Sequence, residues 1–183
     1  MTQKEIWLDI ETTGKNYYTD SILQIAVVIT DGDRNPIEEY EWVIKHDKET
    51  VMAKADDGVK EMHEKTNLWN RLEPEGLPFE QVDKELREVF NTVYDGKWKV
   101  KLSGSSVHFD MNFIAIQMPE AGAIVSHQVC DVSSILEGMR RTQRKVNTKK
   151  GHITTHNAID DIKHSIYLFN CFEQKLAELE NTI

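Results

Sequence analysis

The stretch Ile6-Trp7-Leu8-Asp9-Ile10-Glu11-Thr12-Thr13-Gly14 decides the fold. A short apolar run that ends in two spaced acids and a Thr-Thr-Gly turn reads as a strand over residues 4–11 that delivers carboxylates at its end. Downstream, Ile22 to Thr30 is rich in β-branched residues and stops at Asp31-Gly32-Asp33, a tight reversal into a third strand near 37–45. These three strands form an antiparallel meander. From about residue 59 the period becomes helical, first in a short polar helix holding His63, then over 78–94, where Phe79, Val82, Leu86, Val89 and Val93 share one face. Lys99 to Leu102 and Val129 to Val132 read as further strands, separated by a helix from Phe109 to Met118 that Pro119 stops. Ser133 or Ser134 is a candidate cap for the next helix, which runs to about Thr142. The last helix covers about 157–179, with Ile159, Ile162, Ile166, Phe169, Phe172 and Leu176 at helical spacing. A meander followed by alternating helices and strands implies an α/β fold, a mixed sheet with helices on both faces.

At 183 residues the chain suits one domain, 1–183, with a core that needs neither disulfides nor a structural metal. No stretch is apolar enough to span a bilayer, and the first residues lack the basic-then-apolar order of a secretory signal. Cys130 and Cys171 stand apart in apolar surroundings, which favours buried reduced thiols and a cytoplasmic protein. A net charge of −9 disfavours a wide grip on duplex nucleic acid but leaves short or single-stranded substrates open. Bound divalent cations would offset part of that charge if carboxylates cluster. Arg140, Arg141, Arg144, Lys145, Lys149 and Lys150 fall within residues 140–151 without an acid among them, a basic loop that is either solvated or in contact with substrate phosphates.

Three elements carry chemistry. Asp9 and Glu11, at i and i+2 on a strand, leave the same face of the sheet with backbones roughly 6–7 Å apart, a spacing that suits a shared pair of metal ions. The same alternation also fits the wet face of an edge strand. In Gly104-Ser105-Ser106-Val107-His108-Phe109-Asp110 a strand passes through small residues into a helix. That junction either aims Asp110 over the sheet edge or places a first-turn acid at the helix dipole. His156-Asn157-Ala158-Ile159-Asp160-Asp161 puts a histidine just before two acids at the head of the last helix. Such a histidine can accept a proton near neutral pH, or simply precede the helix.

Taken in order, Asp9-Ile10-Glu11-Thr12-Thr13-Gly14, Ser106 to Asp110, Asp131-Val132-Ser133 and His156 to Asp161 resemble the DEDDh exonucleases, and among them the oligoribonucleases, over nearly the whole chain. The resemblance implies an RNase H-like fold, two Mg²⁺ or Mn²⁺ ions, and stepwise release of 5′-mononucleotides from the 3′ ends of short single-stranded RNA. It makes Asp9, Glu11, Asp110 and Asp161 the metal-binding carboxylates. It makes His156 the general base, five positions before Asp161, which selects Asp161 over Asp160. Thr12, Tyr17, Tyr18, His63 and Ser106 become candidate substrate contacts, and a homodimer is implied as a possible assembly.

The recognition shell departs from that pattern. Gly58 stands where the family has a tryptophan ahead of the histidine matched by His63, and His127-Gln128 stands in place of a Tyr-Arg pair that reaches across a dimer. Lys15, with Tyr17-Tyr18 just beyond, replaces a leucine that wedges between bases. These tyrosines either stack on a terminal base or pack the turn. The departures loosen a strict dinucleotide preference and keep single-stranded DNA as a second substrate. A nuclease-fold scaffold without catalysis is a third reading, which the complete set of mutually repelling carboxylates disfavours.

Overall fold

The computed structural model describes residues 4–142, 144, 146, 148 and 156–180. The strands are β1 (Glu5–Thr12), β2 (Ile22–Thr30), β3 (Pro36–Val43), β4 (Leu102–Gly104) and β5 (Cys130–Asp131). They form one sheet in the order β3-β2-β1-β4-β5. β1 and β3 flank β2 in antiparallel register, and β4 joins β1 in parallel, as does β5 with β4. This is the mixed five-stranded sheet that the meander and the later alternation imply.

The helices are α1 (Lys48–Met52), α2 (Asp57–Lys65), α3 (Phe79–Asn91), α4 (His108–Gln117), α5 (Pro119–Gly122), α6 (Val132–Arg141) and α7 (Ala158–Glu180), with a 3-10 turn at Leu68–Asn70. Strand alternation divides the core. Ile6, Leu8 and Ile10 of β1 face Val82, Leu86 and Phe90 of α3 and Phe113 and Ile114 of α4. Trp7 faces the other way, with Ala26 and Val28, against Ala158, Ile162 and Ile166 of α7. β2 is buried along its whole length because both faces are covered, which explains its unbroken β-branched composition.

One local expectation gains a part and one changes. α4 ends at Gln117, ahead of Pro119 as expected, and Pro119 also begins α5, since a missing N–H costs nothing in a first turn; buried Asp83 accepts hydrogen bonds from Glu120 N (3.0 Å) and Ala121 N (2.8 Å) there. The cap of α6 is Asp131, whose carboxylate accepts from Ser134 N at 3.2 Å, so neither Ser133 nor Ser134 serves. Cys130 and Cys171 are free and half-buried, less enclosed than their apolar surroundings suggest. No described helix is long and apolar enough to cross a membrane.

Candidate active site

β1 places the first two acids by simple alternation. Trp7, Asp9 and Glu11 share the face that α7 covers, and Trp7 meets Phe169 of α7 edge-on at 5.8 Å. From Trp7 to Glu11 the strand rises about 13 Å, and from Phe169 back to Asp161 the helix rises about 12 Å. The matched lengths bring Asp161, at the head of α7, beside the end of β1. Ligand-capable oxygens of Asp9, Glu11 and Asp161 all lie within 4.8 Å of one another.

Asp110 completes the floor from another direction. β1 pairs with β4 at Ile6 and Trp7, and farther along, Ile10 N donates to Asp110 Oδ1 at 2.9 Å. A helix-borne carboxylate thus takes the place of a strand partner. Gly104 allows this junction to close, because a Cβ there would stand 2.7 Å from Leu8 O. On the other edge of β1, the pairing with β2 shifts register between Glu11 and Thr12, an irregularity common beside functional sites.

The electrostatics are those of a buried cluster of acids. Burial, then Asp161 and Asp110, push Glu11 up to about 8. Burial, then Asp110, Glu11 and Asp161, hold Asp9 well above the ordinary carboxylate range. Burial raises Asp110 to about 7 even though backbone N–H groups pull it down. Each carboxyl resists ionisation because its neighbours are also acids in a low-dielectric pocket. Clustered carboxylate oxygens fit hard divalent cations, which would relieve this repulsion. Asp9, Glu11 and Asp161 are the residues placed to hold them, with Asp110 adjoining.

His156 sits just before α7 in a left-handed conformation (φ 54°), exposed, and within electrostatic range of His63. Asp160, the neighbour of Asp161, takes its place in the first turn, where its N–H lies 3.4 Å from Asn157 Oδ1.

The candidate substrate contacts separate into two groups. Tyr18 is 72% exposed and Ser106 is exposed, with Ser106 Oγ 3.3 Å from Ser133 Oγ and its N–H donated to Asp131. Tyr17, Thr12 and His63 turn inward instead. Tyr17 packs edge-on against Phe113, and Thr12 is buried, its hydroxyl donating to Gly14 O at 2.6 Å. His63, expected as a substrate contact, is fully buried against Trp69 and presents no surface. Its Nε2 lies 2.9 Å from Thr12 O, and since a carbonyl only accepts, that nitrogen carries the proton. Nδ1 is left without a hydrogen-bond partner, 3.8 Å from Glu11 Oε2. Burial pushes the imidazole below its ordinary pKa, and the bond to Thr12 O lets His63 brace the end of β1.

Two further residues shape the site: Asp131, quoted in the sequence only as part of a motif and given no role there, and Asp20, which carried no sequence signal. Asp131 accepts from Ser106 N, Ser134 N and His108 Nδ1, the last at 2.8 Å, and so ties β5, α6 and the β4–α4 junction together. Burial raises this carboxyl, but His108 and the N–H donors outweigh it and hold it below the usual range. Asp20 accepts from Asn16 N and the Thr13 hydroxyl and crowds Gly14, where a Cβ would meet Asp20 Oδ2 at 2.5 Å. Of the basic loop, Arg140 and Arg141 are paired with Glu137, whereas Lys145, Lys149 and Lys150 lie outside the described residues.

Comparison with known proteins bears on the family and the fold. The exonuclease family model matches residues 6–169. The oligoribonuclease of Neisseria meningitidis is 30% identical over 87% of this chain and 85% of its own length. The human mitochondrial oligoribonuclease is 29% identical over the whole chain and 79% of its own length. A Schizosaccharomyces pombe protein named Probable oligoribonuclease is 31% identical, and the chain spans 66% of it. Among solved structures, Escherichia coli ExoI in complex with ssDNA superposes on all of this chain with a TM-score of 0.77 at 15% identity, a likeness of fold, and the chain spans 43% of that protein.

Proposed function

We propose, from the premise that the chain belongs to the exonuclease family and within it to the oligoribonucleases, that it hydrolyses short single-stranded RNA from the 3′ end to 5′-mononucleotides. The observation that carries the reading is the convergence of Asp9, Glu11 and Asp161 over buried Asp110, where burial and neighbouring acids raise Asp9, Glu11 and Asp110. When bound, a pair of Mg²⁺ or Mn²⁺ ions supplies electrostatic activation of water and stabilisation of the phosphoryl charge.

The chain's own residues do the rest. Asp9, Glu11 and Asp161 present their oxygens from two rigid elements, and Asp110 fixes the backbone of β1 between two of them through Ile10 N. His156, exposed at the entrance to α7, accepts the proton of the attacking water and passes it to solvent. Water attacks phosphorus, the bond to the 3′ oxygen of the penultimate nucleotide breaks, and a 5′-mononucleotide leaves. Tyr18 offers a face for the terminal base, and Ser106 offers a hydroxyl to a phosphate. Single-stranded DNA is the second reading, supported by the fold shared with ExoI in complex with ssDNA.

The test is a time course on end-labelled RNA and DNA of matched sequence and graded length, with Mg²⁺, Mn²⁺ or chelator. RNA shortened stepwise from its 3′ end, faster than DNA and only with metal, is the expected result. Faster turnover of DNA would reverse the substrate ranking, and no shortening under any metal condition would end the reading.

A further inference from the structure

The opposite end of the sheet carries a second feature that the acidic edge does not use. Asp95-Gly96-Lys97-Trp98-Lys99-Val100-Lys101 enters β4 from the far side. Lys97, Trp98, Lys99 and Lys101 are all exposed, Trp98 at 68%. The other three tryptophans, Trp7, Trp42 and Trp69, are buried. A single exposed apolar side chain is ordinary, so the weight falls on its setting, a large indole among three exposed lysines.

The segment is built rather than loose. Asp95 Oδ1 accepts from Lys97 N at 2.8 Å and Trp98 N at 2.7 Å, around Gly96 at φ 76°. Val100 is buried and bridges Val125, and its carbonyl accepts from Ser126 N at 2.7 Å. Lys99 and Lys101 flank Val100 and so share the outward face by alternation. Lys97 Nζ stands 5.3 Å over the Trp98 ring.

Charge distinguishes the patch further. Several cations elsewhere in this acidic chain are paired with acids: Arg34 with Glu173, Arg71 with Glu41 and Glu75, Arg140 and Arg141 with Glu137, Lys163 with Glu39. Among the described residues no ion pair engages Lys97, Lys99 or Lys101. Asp95, the acid nearest Lys97, has one oxygen committed to the turn.

We propose that Lys97, Trp98, Lys99 and Lys101 form a second binding site for single-stranded nucleic acid, in which a base stacks on the Trp98 indole and backbone phosphates pair with the lysines. A flat aromatic flanked by unpaired cations matches the alternation of base and phosphate along a single strand, and the contact is tolerant of sequence. The site lies about 25 Å from Glu11 along the strands, so a dinucleotide at the acidic edge does not reach it and a longer strand does. The proposal rests on the reading that single-stranded nucleic acid is the substrate, and it adds a distal hold that favours longer oligomers.

The test is binding in chelator, where hydrolysis is off and the cation-dependent hold is absent. A single-stranded RNA of about 12 nucleotides is titrated against intrinsic tryptophan fluorescence at several salt concentrations. Wild type is expected to show a quench that Trp98→Phe abolishes. The triple variant Lys97→Gln, Lys99→Gln, Lys101→Gln is expected to bind about tenfold more weakly, with a salt slope about 2 smaller. Hydrolysis of a dinucleotide with Mg²⁺ stays unchanged in both variants. This keeps the proposal separate from the catalytic reading, which fails only if dinucleotide and longer RNA both go uncut. Equal RNA binding by wild type, Trp98→Phe and the triple variant overturns the proposal. So does sedimentation showing that Trp98→Phe breaks a self-associated species while RNA binding is unaffected, since the face then belongs to a second copy of the chain.

Discussion

Glu11 and Glu137 are the same side chain in opposite settings. Glu137, on the outer face of α6, accepts from Arg140 Nε at 2.7 Å, Arg140 Nη2 at 2.8 Å and Arg141 Nε at 2.8 Å, and these bonds hold it down at about 2. Glu11, at the end of β1, is buried among Asp161, Asp110 and Asp9 and is pushed up to about 8. The first region has balanced its charge from within, on an exposed surface where ion pairs contribute little to stability. The second has gathered acids inside the fold, where burial and the neighbouring acids push Glu11 up. A fold does not keep such a cluster for stability, because each ionised member there opposes the others. The difference marks the β1–α7 edge as a place that waits for cations from outside.

Breaking the acidic edge gives the largest effect. Asp161→Asn removes one of three converging ligands, and turnover of end-labelled RNA with Mg²⁺ is expected to fall by about 10³-fold or more, with the fold intact by circular dichroism. His156→Ala leaves the carboxylates in place and removes the proton acceptor, so the loss is expected at about 10²–10⁴-fold with metal affinity unchanged by calorimetry. Unchanged hydrolysis would remove His156 from the mechanism.

A third effect sharpens the comparison through pH. Glu11 and Asp110 have folded-state values raised from 4.5 to about 8 and from 3.8 to about 7. The folded protein therefore holds protons that the unfolded chain has already released. Their contribution to stability is full below about pH 4 and is lost as pH rises to about 8. In chelator, the melting temperature is expected to fall across that window by an amount on the order of 10 °C, and Glu11→Gln to flatten much of the slope. Added Mg²⁺ restores the loss by binding only the folded form. The smallest effect belongs to the other region: Glu137→Gln is expected to leave turnover and melting temperature within error, because its partners are exposed arginines.

Much of this was legible in the sequence where a local pattern fixes a direction. Alternation in β1 puts Asp9 and Glu11 on one face whatever the tertiary structure, and the helical period after His156 places Asp161 over the same edge. The unbroken run of Ile22 to Thr30 reads correctly as a strand, and the structure adds that both its faces are covered. What stayed hidden depends on contacts far along the chain. His63 looks like a surface histidine on a polar helix. Its burial is set by Trp69, which reaches it through a 3-10 turn preceded by Asn67 in a left-handed conformation. Asp131 looked secondary because the two serines after it are equally good caps, and only the end of β5 at that residue decides between them. Tyr17 and Tyr18 are neighbours in a turn, and Tyr17 turns inward onto Phe113 while Tyr18 stays outside.

The central claim is that the β1–α7 edge is an acid cluster completed by cations. Calorimetric titration of Mn²⁺ into the cation-free protein at neutral pH tests it most directly. Binding of two ions per chain, with protons released as Glu11 and its neighbours ionise, and loss of that binding in Asp161→Asn, is the predicted result. No heat of binding at millimolar Mn²⁺, or equal binding by wild type and Asp161→Asn, would contradict it.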